Sequence, residues 1–304
     1  MPAWGAVQQE IIRLAHAGDP APLDTVRRKY LAALGAKTGR TTIVYYSGWL
    51  SAQATTPLLI INDDDKVGFM QASHNVNHAA GLDLVLHTPG GSVTAAESIV
   101  DYLLKMFKGD IRVIVPQIAM SAGTMIACAA KEVLMGKQSN LGPIDPQVNG
   151  LPAYSVLDEF DRAVKQSGNI GAARIWQTII SKYHPTFLSS CEHAIEMSKS
   201  IVKRWLEQGM FEGDPKAKSK ANKVVRALSN PDTNREHGRH IHAERCLEMG
   251  LNITCLEDDQ ELQDLVLTVH HACCQTLAQA NVFKLIENHT GAAYIRFGGP
   301  VGNA

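Results

Sequence analysis

The sequence predicts an α/β fold built on a parallel sheet, with mainly helical extensions at both ends. Three observations carry this reading. Short apolar runs recur at Leu82–Thr88, Ile111–Pro116 and Glu132–Gly136. Helical segments separate them, and glycine or proline turns punctuate the joins. A strand–helix–strand–helix–strand order implies parallel pairing through right-handed crossovers.

Taken in order, residues 6–35 read as one or two amphipathic helices with Ile11, Ile12, Leu14 and Ala15 on one side, interrupted at Pro20 and Pro22. "TTIVYYSGWL" (Thr41–Leu50) is β-branched and aromatic and reads as a strand. The Asp63–Asp65 triplet that follows is expected to be a solvated turn, since consecutive carboxylates point different ways. "LDLVLHT" is a buried strand broken by "PGG". From Ser92 a helix carries Val93, Ala96, Val100, Leu103 and Phe107 on one face, with Glu97, Asp101, Lys105 and Lys108 opposite. "IRVIVP" is the next strand. The helix after Ser121 is apolar nearly all round and is expected to be buried, and "EVLMG" follows as a third short strand.

"SNLGPIDPQVNGLPA" is turn-rich, and beyond it the chain reads as mainly helical, with a long amphipathic helix traced by Phe187, Cys191, Ile195, Ile201 and Trp205. "DPKAKSKANK" reads as an exposed basic linker or helix start. "HIHAERCLEMGLNITCL" reads as helix, glycine stop and strand. A last helix spans about Gln260–Gln279, and "AAYIRF" closes the fold as an edge strand. These elements suggest an N-terminal helical extension (1–39), an α/β domain (40–260) and a C-terminal helix with edge strand (261–304).

The 304 residues are 45% hydrophobic and 19% charged, enough for a sizeable core, and the net charge of -1 supplies no basic field for nucleic acid. Six cysteines lack paired spacing and read as reduced thiols, which places the protein in the cytoplasm. The N-terminus does not read as a signal peptide, and no apolar run approaches the ~20 residues of a spanning helix.

Chemistry concentrates at two strand-to-helix junctions. Gly90 and Gly91 permit backbone conformations closed to other residues and leave their amides unshielded. Amides at a helix start are natural donors to a developing negative charge. Ser121 stands at the next such junction, where it either caps the helix or presents its oxygen for chemistry. In a parallel sheet both junctions fall on the same edge. Ser121 is therefore expected to attack a substrate carbonyl whose oxyanion the Gly91 and Ala122 amides hold.

"HTPGGSVTAAESI", one crossover ahead of "MSAGTMIA", resembles the superfamily of Clp proteases and signal peptide peptidases. More narrowly, "LGPIDPQVNGLPA" and "HGRHIHAERCLEMGL" resemble the serine dehydrogenase proteinase family within it. The resemblance covers residues 40 to 260. It implies a ClpP/crotonase-like spiral of βαβ units, a nucleophilic serine at Ser121, and an oxyanion hole from Gly90, Gly91 and Ala122. It also implies ATP-independent cleavage of peptides or proteins without cofactor or metal, assembly into homo-oligomers, and room for a membrane-protein partner.

The serine needs a proton acceptor. Clp protease places a histidine soon after its serine, but this chain has none between His87 and His184, and the turn with Asp145 occupies that region. Signal peptide peptidases use a lysine just before a long helix. Lys182 in "SKYHPTFLSS" matches that placement and is the preferred base, with Lys165 and His184 as rivals. A lysine serves only if burial or nearby charge lowers its pKa from about 10.4 towards neutrality.

Other readings are weaker. His237, His240, His242 and Cys246 could be drawn as a zinc site, but no Cys-x-x-Cys pair supports it. "VHHACC" puts its side chains on successive helical positions that point apart, which suits packing better than chelation. "NHT" at Asn288 matches a glycosylation triplet by accident in a cytosolic protein. The alternative function is a crotonase-like enzyme that binds acyl-CoA, or a catalytically silent scaffold on the same fold.

Overall fold

A computed structural model describes residues 4–52, 56–230 and 236–298. Strands β1 (Thr41–Ser47), β2 (Leu82–His87) and β3 (Ile111–Val115) run parallel and in register, Thr41 opposite Leu82 and Leu82 opposite Ile111. A two-residue strand β4 (Ile118–Ala119) follows, then β5 (Glu132–Met135), which pairs parallel with β3. The chain continues through β6 (Asn140–Leu141), β7 (Gln147–Val148), β8 (Leu151–Pro152), β9 (Ile241–His242), β10 (Ile253–Cys255), β11 (Val282–Asn288) and β12 (Ala293–Phe297). Seven of these form the main sheet, in the order β10-β5-β3-β2-β1-β11-β12.

The helices are α1 (Trp4–His16), α2 (Pro22–Thr38), α3 (Asp65–Ala72), α4 (Val93–Met106), α5 (Ala122–Cys128), α6 (Ala153–Gln166), α7 (Ile170–Ile180), α8 (Phe187–Gln208), α9 (Ala217–Ser229), α10 (Ala243–Met249) and α11 (Gln260–Gln279). They cover both faces of the sheet, which is why β1 and β2 are buried throughout instead of alternating with polar residues. On one face Leu82, Leu84 and Leu86 meet α4 and α5. On the other Val85, Ile114 and Leu134 meet α2 and α11. Every residue of α5 is buried, as its uniformly apolar sequence predicts. Helices α1 and α2 pack on α11, with Val7, Ile11 and Val26 against Ala272.

The parallel strands expected from the sequence are present, and "AAYIRF" forms the edge strand β12. One strand of the main sheet went unanticipated. β11 runs antiparallel between β1 and β12, and its sequence VFKLIEN looks too polar for an internal strand. Each polar group is in fact buried with a partner. Lys284 Nζ lies 3.0 Å from Asp65 Oδ2, Glu287 accepts from Arg27 (2.5 Å) and Arg28 (2.7 Å), and Asn288 donates to the Ala72 carbonyl. Among the described residues no helix is long and apolar enough to cross a membrane.

A second sheet of three short strands crosses the carboxyl edge of the first, in the order β4-β6-β9. β4 and β6 are parallel; β9 is antiparallel to β6, with Ile241 opposite Leu141. This small sheet positions the site described next.

Candidate active site

Ser121 occupies the turn between β4 and α5 with φ 53° and ψ −119°, a region a non-glycine residue enters only when its surroundings enforce it. The enforcement is visible. Gly123 N–H donates to the Met120 carbonyl at 2.7 Å, closing the turn, and Met125 N–H donates to the Ser121 carbonyl at 3.1 Å, starting the helix. The Ser121 side chain makes no capping hydrogen bond. Of the two roles open to it from sequence, capping is therefore not the one it performs. Ser121 is half-buried at the head of a wholly buried helix, and a serine on a strained strand-to-helix turn is a placement that nucleophilic serines use.

The Gly90–Gly91 bend lies directly against this turn. Thr88 N–H donates to the Ile118 carbonyl at 3.1 Å and Met120 N–H to the Thr88 carbonyl at 3.0 Å, so the two junctions are laced together. Gly90 has φ +99°, and a Cβ there would lie 2.7 Å from both the Met120 carbonyl oxygen and Ser121 Cβ, and 3.1 Å from the Ala122 nitrogen. Gly91 has φ +151°, and its Cβ would fall 2.4 Å from the Ile61 nitrogen. Both glycines are required by space as well as by dihedral.

The amides divide into engaged and open. Gly90 N–H donates to Thr88 Oγ1 at 3.2 Å and its carbonyl accepts from Ile61 N–H at 2.8 Å, while Ser92 N–H donates to the Ile61 carbonyl at 2.9 Å. Gly91 N–H and Ala122 N–H meet no acceptor among the described residues. Gly90 thus allows the close approach, while the Gly91 and Ala122 amides are the two left open among the described residues. The segment that grips the bend is itself anchored, because Lys284 Nζ donates to the Ile60 carbonyl at 2.9 Å as well as pairing with Asp65.

No hydrogen bond joins the Ser121 hydroxyl to Lys182, Lys165 or His184. Lys165 ends α6, and Lys182 and His184 lie in the turn between α7 and α8; all three are exposed. His184 Nδ1 instead lies 2.9 Å from the Pro185 carbonyl. A different pair stands closer to the serine's end of the small sheet. His237 Nδ1 and Asp145 Oδ1 approach to 3.1 Å, with side chains only 23% and 13% exposed. The two atoms are off the line of a hydrogen bond, yet both are buried and neither has another partner among the described residues.

Topology brings this pair toward Ser121. β4 leads forward into Met120 and Ser121, its parallel neighbour β6 leads forward into Gly142–Asp145, and antiparallel β9 is entered from His237–His240. All three segments therefore leave the same end of one sheet. Gly142 abuts Met120, since a Cβ at Gly142 would lie 2.5 Å from Met120 Cε. Thr124 Oγ1 ties the two strands by donating to the Ala119 carbonyl and accepting from Gly142 N–H, each at 2.8 Å. Sequence reasoning noted Asp145 only as a turn residue and His237 only as part of a histidine-rich run. The pairing depends on β6 meeting β9 across a long stretch of helices, which no local pattern reveals.

The remaining polar clusters resolve into other contacts. Among the described residues no three His, Cys, Asp or Glu side chains converge as a metal site. The Cys246 thiol is buried, and burial pushes its pKa up to about 12. Asp65 is held by Tyr45 and Lys284, and Asp64 pairs with Arg296 at 3.1 Å.

Comparison with known proteins adds the following. Residues 54–268 match the family model described as ClpP-like SDH-type serine proteinase. An uncharacterized protein of Methanocaldococcus jannaschii is 34% identical over 150 residues, 47% of this chain and 44% of that protein. A second uncharacterized protein of the same organism is 35% identical over 148 residues, 48% of this chain and 50% of that protein. The chain spans about half the length of these curated relatives.

Proposed function

The chain belongs to the ClpP-like SDH-type serine proteinases, and from that premise we propose that it hydrolyses peptide bonds through Ser121, with the Gly91 and Ala122 amides as oxyanion hole and His237, oriented by Asp145, as general base. The observation that carries the reading is the contact between the two turns: the strained, uncapped Ser121 lies beside a Gly–Gly bend with open amides.

In this mechanism Ser121 Oγ attacks the scissile carbonyl while the imidazole of His237 takes its proton. The carbonyl oxygen becomes an anion between two fixed N–H donors, each worth about 10²–10³ in rate in comparable sites. The imidazolium then protonates the leaving amine, an acyl-serine remains, and water reverses the same steps. The Asp145 carboxylate fixes the imidazole's orientation and stabilises its cation. Lys182 remains the rival base. An exposed ammonium is poorly suited to the task, whereas the imidazole is already faced by a buried carboxylate. An acyl-CoA-binding site needs open amides too, but has no use for a serine held at positive φ.

The test is the labelling rate of the full chain with a fluorophosphonate, alongside hydrolysis of a fluorogenic peptide library. Ser121→Ala is expected to abolish labelling and reduce hydrolysis by about 10³-fold or more. His237→Ala is expected to slow labelling severely while Lys182→Ala leaves it near wild type. The reverse pattern returns the base to Lys182, and an unlabelled wild type removes the peptidase reading.

A further inference from the structure

Beyond the paired residues of the small sheet, β4 and β6 part, and one side chain spans the gap. Asn140 N–H donates to the Gln117 carbonyl at 2.7 Å. Bonds in a parallel pair are evenly spaced. With Ala119 opposite Leu141, the next rung from that side would run from Gly142 N–H to the Ala119 carbonyl. It does not. Gly142 N–H donates to Thr124 Oγ1, and that hydroxyl donates in turn to the Ala119 carbonyl, each at 2.8 Å. The hydroxyl is inserted in the ladder, on a threonine that is 0% exposed.

An inserted hydroxyl sets a distance. A direct N–H···O rung is about 2.9 Å long, whereas two bonds meeting at one oxygen hold the donor and the acceptor further apart. The position needs a single atom that accepts and donates at once, which a hydroxyl supplies and a methyl group does not. What it separates are the two turns of the candidate site. Ser121 lies two residues beyond Ala119, and Asp145 three beyond Gly142. Each turn is also held from its far side. Thr88 is laced to β4 through the Ile118 carbonyl and Met120 N–H, and Ile144 N–H donates to the Leu228 carbonyl of α9 at 3.1 Å. Thr124 sits within α5, the helix that Ser121 heads, so the backbone that places the serine also places the spacer.

Resting on the reading of Ser121, Asp145 and His237 given above, we propose that Thr124 is a positioning residue for the reaction, its inserted hydroxyl setting the gap between the nucleophile's turn and the turn whose Asp145 orients His237. Being fully buried, it touches neither substrate nor the reacting atoms, and it acts through Asp145. Without the hydroxyl, either the strands close to a direct rung and shift both turns, or a buried N–H and a buried carbonyl are left unpaired.

The test compares the full chain with Thr124→Val, which keeps the shape and loses the hydroxyl, and Thr124→Ser, which keeps the hydroxyl. The readouts are the fluorophosphonate labelling rate, and kcat and KM on a fluorogenic peptide that the wild type cleaves. Thr124→Val is expected to slow labelling and lower kcat by about 10²-fold, the cost of a misplacement near 1 Å, with KM little changed. Thr124→Ser is expected to return most of the rate. Placed in an Asp145→Asn background, Thr124→Val is expected to cost little more, because residues that act as one unit lose their effect together. Wild-type rates in Thr124→Val, no recovery in Thr124→Ser, or an undiminished cost in the Asp145→Asn background each overturns the role while a labelled wild type leaves the peptidase reading standing. A wild type that takes no label removes that reading, and the positioning role with it. Should Thr124→Val fail to fold, Thr124→Cys puts a larger sulfur in the same rung and is expected to slow labelling too; a cysteine variant as fast as wild type overturns the role.

Discussion

A methyl group added at Gly90 would sit 2.7 Å from a backbone oxygen and from Ser121 Cβ, at a φ of +99°. Alanine there meets two penalties together: the left-handed backbone costs about 1–2 kcal/mol, and the clash is with main chain that cannot swing aside. Relief comes only by separating the two turns. Gly90→Ala is therefore expected to lower the thermal midpoint and to cut fluorophosphonate labelling by about 10²-fold, the scale of one lost oxyanion donor, because the Gly91 amide moves off the Ser121 oxygen. A variant that labels at the wild-type rate would show that the contact is incidental. At this scale part of the candidate site was legible. Gly90, Gly91 and Ser121 announce themselves because each stands at a strand-to-helix junction where its residue type is conspicuous. Asp145 and His237 do not, because an aspartate in a proline turn and a histidine among histidines are unremarkable until β6 and β9 pair them.

The segment around Ile60–Ile61 joins β11 to the Gly–Gly bend, and this is where element packing reaches the site. Ile61 brackets Gly91 through both of its backbone groups, and Lys284 on β11 holds Ile60 from behind while pairing with Asp65. Lys284 and Asp65 are 1% and 2% exposed, so removing one strands the other. Lys284→Met is expected to destabilise the protein by about 3–5 kcal/mol, read as a fall in the guanidinium midpoint, with slower labelling of Ser121. Adding Asp65→Asn should recover a good part of the stability, since the uncompensated buried charge is then gone. If the double variant is no better than the single, the pair is not what the strand depends on. The same lysine explains why β11 was missed: a Lys, a Glu and an Asn in a short run read as surface from sequence, and only the partners on α2, α3, β1 and the segment before α3 make them core. Helices with one apolar face, such as α4 and α8, were legible because their pattern needs no distant partner.

For the whole molecule, the order of parallel strands followed from short apolar runs separated by helices, whereas the charge state of the core did not, because sequence cannot show which histidines are inside. Two are: His87 at the end of β2 and His270 on α11, with rings 5.1 Å apart. Burial lowers the pKa of His87 to about 4, and burial first, then the neighbouring His87 and His271, lowers that of His270 well below its usual value. The groups facing them are the Tyr46 hydroxyl, the His271 imidazole and the Cys274 thiol, which burial pushes up to about 12. None of these is an anion that would welcome a proton. Below about pH 6.5 the unfolded chain protonates both imidazoles while the folded chain does not, so the unfolded state binds more protons and stability falls with pH. The contribution is fully present above pH 6.5 and is lost progressively down to about pH 4 for His87. At pH 5 the loss is about 2 kcal/mol for His87. Urea unfolding at pH 7, 6 and 5 is expected to trace this decline, and His87→Phe should remove its share, flattening the slope although a large ring still fills the position. An unchanged slope in that variant would mean that His87 takes up its proton in the folded protein at the same pH as in the unfolded chain.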